Sequence, residues 1–418
     1  MRSRLALVAM YGMALLIPYQ VDAQSSTAPL PENQSVAQPD TRIIPSLQVA
    51  ERYDSNVYFV PGTNLEDYVT TVSPQLRLNH RNQWVEGTVS GGAIAEVYVK
   101  NPGLNYAAGR GTVVLNLDGT MNRLVSGLGL RVTDTVIYTP QPLAFAAPTS
   151  GSQIPEAFVR GIQAQRANSF SNVAMVDASY RLSEFMSMTV TYVDQRIRFG
   201  SPIAAPTGAA QARFINTNFQ TLTSGFVRQL SPADAIVLAH QYQKATFSAS
   251  ELDSQFSTQG AIVRWSRSIT PALKATGEGG FTVISPGDKV ESIGAASLEW
   301  KGQYTTVMVS YSRSITPSFL FVSIPLLSQV VSGTARRQIT DSLSLSIAGS
   351  YAVNESVPDS SLLQFQSYSV TPSLNYVISK TFTATLSYIR SQFEQTFASQ
   401  AVPFDRNQVQ LSLVAEWK

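Results

Sequence analysis

The sequence predicts an all-β protein: a transmembrane, antiparallel up-and-down β-barrel of about eighteen strands, or about sixteen if the first hairpin lies outside the wall. Three observations predict it. Charged residues make up only 14% of the 418 residues, while hydrophobic residues stand at an ordinary 44%. From Ile43 to the end of the chain the dominant period is two. The connections between the periodic segments alternate short and long.

The composition comes first. Soluble proteins carry roughly 25% charged residues, and here Ser, Thr, Gln and Asn fill the gap. A helical membrane protein needs spans of about 20 mostly apolar residues, and none occurs beyond the first few dozen positions. A sheet with one lipid face and one wet face requires this dilution of apolar residues by small polar ones. The net charge is +2, with Lys and Arg scattered among Asp and Glu, so no basic stripe for nucleic acid is present. Cysteine is absent, which excludes disulfides and thiolate metal sites.

The chain divides into a signal peptide at 1–23, a flexible periplasmic leader at 24–42 and a barrel at 43–418. Arg2 and Arg4 precede an apolar run from Leu5 to Ile17, and Val21-Asp22-Ala23 offers a cleavage site before Gln24. The leader is rich in Ser, Pro, Gln and Asp. The barrel strands fall at 43–53, 68–80, 84–98, 105–117, 121–135, 169–183, 185–199, 213–230, 235–249, 254–268, 273–285, 289–301, 304–316, 325–339, 343–354, 362–379, 381–397 and 406–417. Leu343 to Tyr351 shows the pattern, alternating apolar and small residues over its length. Gly, Thr, Ser and Val inside these segments disfavour helix.

Short connections lie at 81–83, 118–120, 183–184, 231–234, 270–271, 341–342 and 379–380. Long ones lie at 54–67, 99–104, 136–168, 200–212, 250–253, 317–324, 355–361 and 398–405. Outer-membrane barrels have short periplasmic turns and longer external loops, so both termini face the periplasm. Tyr106, Tyr192, Tyr311, Tyr351 and Tyr388 fall near outer strand ends, and Trp84, Trp265, Trp300 and Trp417 near inner ends, as interfacial girdles require.

Alternation sorts the two faces. Val307, Val309, Leu343, Leu345, Ile347, Leu374, Leu386, Leu411 and Leu413 are expected to face lipid, and Ser310, Ser344, Ser346, Ser373, Thr383, Thr385, Ser387 and Ser412 the lumen. A mid-plane Arg or Lys on the lipid face costs about 2–4 kcal/mol. The mid-strand charges Arg77, Glu86, Glu96, Arg110, Arg131, Asp177, Arg181, Arg264 and Glu299 are therefore candidate lumen-lining residues. The longest loop, Val136 to Asn168, is a candidate constriction, with Arg160 and Arg166 as its charged members.

The opening stretch, Leu47-Gln-Val-Ala-Glu-Arg-Tyr-Asp-Ser-Asn-Val-Tyr-Phe59, carries a Tyr-Asp-x-Asn-hydrophobic step and is followed by Asp67-Tyr-Val-Thr-Thr-Val-Ser-Pro-Gln-Leu76. Later come Leu298-Glu-Trp-Lys, Val309-Ser-Tyr-Ser-Arg-Ser314, Arg336-Arg-Gln-Ile-Thr-Asp-Ser-Leu343 and Ser346-Ile-Ala-Gly-Ser-Tyr351. These segments resemble a family of outer-membrane β-barrel porins associated with exopolysaccharide export and exosortase systems. The resemblance spans nearly the whole mature chain. It implies a pore or scaffold for surface polysaccharide, with polysaccharide-export components as partners, and brings no catalytic residues. One departure is the end of the chain: Leu411, Leu413, Ala415 and Trp417 keep the alternation expected of a strand recognised by the barrel assembly machinery, but Lys418 follows the aromatic.

No enzyme, metal or cofactor signature appears. His80 and His240 are the only histidines, and neither sits in a nucleophile–base pattern. Glu251, Asp253, Asp288 and Glu291 lie near loops, where solvated charge explains them. Arg-Ser-Ile-Thr-Pro occurs at 267–271 and 313–317, at strand ends where Thr-Pro breaks a ladder. The expectation is a porin-like channel in the cell outer membrane, contacting its lipid. A non-conducting docking barrel and an outer-membrane hydrolase are the competing readings.

Overall fold

A computed structural model describes residues 40–58, 65–140, 167–202, 215–249, 252–317, 324–360, 362–397 and 400–417. The strands are β1 (Asp40–Asp54), β2 (Asp67–Arg81), β3 (Glu86–Tyr98), β4 (Tyr106–Asn116), β5 (Leu128–Thr139), β6 (Ala167–Ser183), β7 (Met186–Pro202), β8 (Asn216–Ser231), β9 (Asp234–Ala249), β10 (Leu252–Thr270), β11 (Leu273–Ser285), β12 (Lys289–Lys301), β13 (Thr305–Pro317), β14 (Pro325–Gln338), β15 (Leu343–Ser356), β16 (Leu363–Val377), β17 (Phe382–Phe397) and β18 (Gln400–Glu416). They form one 18-stranded sheet in which each strand pairs antiparallel with its sequence neighbours. β1 also pairs with β18, from Ser46↔Glu416 to Asp54↔Gln408, which closes the barrel and leaves no free edge.

Cross-strand register confirms the two faces. Leu386 lies opposite Leu374 and Leu411, Leu345 opposite Leu374, and Leu298 opposite Val309. These side chains are exposed. On the other face Ser310 bonds Ser332 at 2.8 Å, Ser346 bonds Ser373 at 2.6 Å, and Thr385 donates to Asn375 at 2.8 Å. A continuous belt of exposed Leu, Val, Ile and aromatic side chains has no place in water. Closed barrels and helices are the two structures that satisfy every backbone group in lipid, and no helix among the described residues is long and apolar enough to cross a membrane. The chain is an integral β-barrel of the cell outer membrane. Tyr192, Tyr311, Tyr351, Tyr388, Trp265, Trp300 and Trp417 are all exposed, but Tyr311 lies at the middle of β13, and Tyr192 and Tyr388 lie nearer the periplasmic ends of β7 and β17, so these three do not form the tyrosine girdle expected at the outer strand ends.

Several expectations are corrected. The turn expected at 118–120 is a helix, α1 (Asp118–Leu124), so β5 starts at Leu128 rather than at 121. Side-chain hydrogen bonds brace the segment: Asn116 Oδ1 accepts from Asp118 N, Asp118 Oδ1 accepts from Leu130 N, and Asn122 Oδ1 accepts from Gly127 N. Gly127 turns the chain back at φ +84°, and at Gly119 a Cβ would lie 2.3 Å from the Gln83 carbonyl. The Arg123 guanidinium sits 4.7 Å from the Trp84 ring. The loops expected at 250–253 and 398–405 are largely strand, because β10 begins at Leu252 and β18 at Gln400. An antiparallel ladder needs no lipid and continues past the belt when both faces turn polar. β1 begins at Asp40, inside the segment assigned to the leader. Tyr106 is no girdle residue. It packs on the inner face against Val57, Val69, Tyr98 and Leu104.

Candidate functional site: the inner face of the barrel

The nine charges singled out from the sequence share the parity of the inner face. Arg77 lies opposite Ser90, with its Nη2 3.6 Å from Glu416 Oε2. Glu86 sits opposite Arg81 and Asn116, and Arg110 opposite Gly92 and Ile137. Arg131 lies on one rung between Asn116 and Asp177, so these two charges are brought together. Arg181 is opposite Ser187. Several strands away, Arg264 Nε donates to Glu278 Oε2 at 2.6 Å, and Glu299 pairs with Lys301 at 2.7 Å. Arg160 and Arg166 lie outside the described residues.

The residues weighed for chemistry are dispersed. His80 bonds Thr41 Oγ1 at 2.8 Å and Asn82 Nδ2 at 3.0 Å beside an inner turn. His240 has outward parity, between Leu238 and Tyr242 and opposite Ser224 and Ala261. Asp288 accepts from Ser285 Oγ within its own turn, and Glu291 pairs with Lys289 and Arg313. Glu251 lies outside the described residues, and Asp253 is the second residue of β10. No group of three or more His, Cys, Asp or Glu that could hold a metal occurs among the described residues.

Sequence reasoning named Glu96 but missed the other members of the densest charge network, Arg52, Asp54 and Arg406. Glu96 is held by both arms of Arg52, at 3.1 and 2.9 Å, and accepts from Tyr98 Oη at 2.8 Å. Two residues further along β1, Asp54 accepts from Arg406 Nε at 2.9 Å and from Gln408 Nε2 at 3.0 Å, with a second contact from Arg406 Nη2. Asp54 also accepts from Asn56 N, so the Tyr-Asp-Ser-Asn step starts the loop that leaves β1. Asp67 then gathers the amides of Tyr68, Lys100 and Asn101. This ties the start of β2 to the connection after β3. Parity along β1 and β18 marks these residues as inward. Their positions at strand ends hid them from a search of strand middles. On the rim outside, Lys100 and Tyr53 donate to exposed Glu66, whose carboxyl is held below its ordinary range mainly by the Lys100 hydrogen bond.

Burial divides the inner face by height. Toward the periplasmic end Arg77, Arg81, Glu86, Arg131 and Arg181 are exposed. Toward the outer end the inward residues are buried all the way round, including Tyr98, Ser169, Ile197, Phe247, Ile284, Asn354, Phe393 and Arg406. Ile215, Phe219, Ala245, Phe247, Phe256, Ile284, Ile315, Leu327 and Val357 form an apolar cluster toward the outer end. The charge network lies toward the same end. Among the described residues, charged inward side chains are exposed near the periplasmic end and packed near the outer one.

No family model matches the sequence, and no curated protein matches it either. Several solved structures align with this chain. The siderophore receptor PirA from Pseudomonas aeruginosa is 8% identical with a TM-score of 0.44, covering 91% of this chain and 81% of that one. OccK3 (OpdO) from the same organism is 12% identical with a TM-score of 0.43, covering 90% and 96%. OccAB3 from Acinetobacter baumannii is 12% identical with a TM-score of 0.44, covering 90% and 99%.

Proposed function

We propose that the protein is an outer-membrane channel with a wet periplasmic vestibule and a constricted outer mouth, serving the outward passage of a hydroxyl-rich saccharide chain. The observation that carries the channel reading is the exposed, charged inner face at the periplasmic end, in a barrel wide enough to hold water. The saccharide reading is supported by the inner face of β13–β17. There Ser310, Ser332, Ser346, Ser373 and Thr385 form a neutral, hydroxyl-lined wall. Of the nine charges named above, the exposed Arg77, Glu86, Arg131 and Arg181 face the vestibule and set its weak selectivity. In this reading residues 1–23 direct export, 24–42 lie in the periplasm, and the β18 strand addresses the assembly machinery.

Planar-bilayer recording tests the channel. Purified protein should give discrete conductance steps, and oligosaccharide added on the periplasmic side should block them reversibly. Folded barrels that never conduct would instead favour a docking platform, a reading supported by the packing of inward side chains toward the outer end.

A further inference from the structure

Across β5–β9 the rung Val132–Val176–Tyr192–Leu222–Tyr242 marks the lipid side of the wall. Val176, Tyr192, Leu222 and Tyr242 are exposed there. On the same face, the rung below reads Leu130–Ala178–Val190–Ser224–His240, and the rung above reads Asp134–Ala174–Asp194–Gln220–Lys244. Higher still, Asn172 and Asn218 flank Arg196. Two of these polar groups lie within the apolar belt rather than at its edge. Asp134 accepts from Asn172 Nδ2 at 2.5 Å, and beyond this pair the face turns apolar again with exposed Tyr138 and Phe170. His240 and Ser224, both exposed, face each other across one rung, and His240 lies between exposed Leu238 and Tyr242. Above them Asp194 accepts from Arg196 Nε at 2.7 Å and from Gln220 Nε2 at 3.4 Å. The far side of the barrel shows none of this. There Leu345, Ile347, Leu374, Leu386 and Leu411 face outward, and the first outward charge on β17, Arg390, comes only above Tyr388.

Hydrocarbon offers no hydrogen bond to a carboxylate or an imidazole, and lipid headgroups reach only the edges of the belt. A neighbour that answers these groups at the depth of His240 and Asp134 is therefore protein. A second copy in the same bilayer meets this face at the same depth under a two-fold axis along the membrane normal, and such a contact is self-complementary. The face carries both signs: Asp134 and Asp194 stand beside Arg196, Lys244 and His240, so each copy offers acceptors to the other's donors. We propose that the outward face of β5–β9 is the surface through which two copies of this barrel associate within the membrane. The proposal stands apart from the channel reading.

The chain has no cysteine, so one introduced thiol reports the contact. In lipid vesicles, S224C treated with a bis-maleimide should give a cross-linked dimer in several-fold excess over L374C, which faces lipid on the opposite side. Equal yields would mean random collision and overturn the interface. Adding D134V and H240L to S224C makes the face apolar and should lower the dimer yield roughly tenfold, the effect of about 1.4 kcal/mol of association. An unchanged yield from the folded triple variant would overturn the polar contact. If the triple variant fails to fold, S224C against L374C decides alone. In whole cells, S224C joined to a different protein and never to its own copy would sink the proposal in favour of a docking surface.

Discussion

At the periplasmic end of the inner wall, Arg77 stands in the open lumen with its acidic partner 3.6 Å away. At the outer end Arg52, Asp54, Glu96 and Arg406 are each at most 5% exposed and share charge-assisted hydrogen bonds. Parity brought both sets inside. What separates them is whether other parts of the chain cover them. Exposed pairs contribute up to about 1 kcal/mol, whereas removing one partner of a buried pair costs about 3–5 kcal/mol. The same residue types thus act as selectivity charges below and as structural rivets above.

The sharpest way to break this comparison is Asp54→Ala. It strands Arg406 in a buried site, and the urea unfolding midpoint of the vesicle-inserted barrel should fall by the equivalent of about 3–5 kcal/mol. A loss below about 1 kcal/mol would mean that the outer network is as wet as the vestibule. Next in size is a parity pair on β17. Leu386→Arg, facing lipid, should cost about 2–4 kcal/mol in the same titration, while its neighbour Ser387→Arg, facing inward, should cost far less. Similar losses from both would refute the assignment of faces. A smaller effect is expected from Arg131→Glu in the vestibule. Stability should stay within about 0.5 kcal/mol, while the reversal potential under a salt gradient moves toward cation preference. A destabilised but electrically unchanged variant would erase the distinction between the two ends.

The smallest effect belongs to Glu66, exposed on the rim. Its carboxyl is depressed by Lys100 and Tyr53, so its contribution is present above the ordinary carboxylate range and is lost as pH falls through the depressed value. Glu66→Gln should remove that acid-side dependence and leave the neutral-pH midpoint nearly unchanged. A large neutral-pH loss would place Glu66 with the buried network instead.

The strands were legible because each residue in a barrel wall answers to one neighbour environment, lipid or lumen, and alternation reports both. β11 and β12 fall where the pattern puts them. The pattern failed where side-chain hydrogen bonds braced a short helix at Asp118 and where β18 ran on in water beyond the belt. The nine mid-strand charges share the parity of the inner face, as the same alternation assigns. The Asp54–Arg406 lock was not legible, because its halves stand 352 residues apart. No local period records a pairing that closes a ring.

By itself, then, the sequence determined the wall: an all-β barrel, its approximate strand positions, and which side chains face lipid. These follow from local alternation and the penalty for charge in hydrocarbon. Only the tertiary structure decided how the wall is used. Closure of β1 on β18 set Asp54 against Arg406, and packing at the outer end buried outward-patterned Ile315 and Leu327 in the apolar cluster. Both depend on contacts between distant strands, where the free energy of burial outweighs the direction that alternation alone would assign.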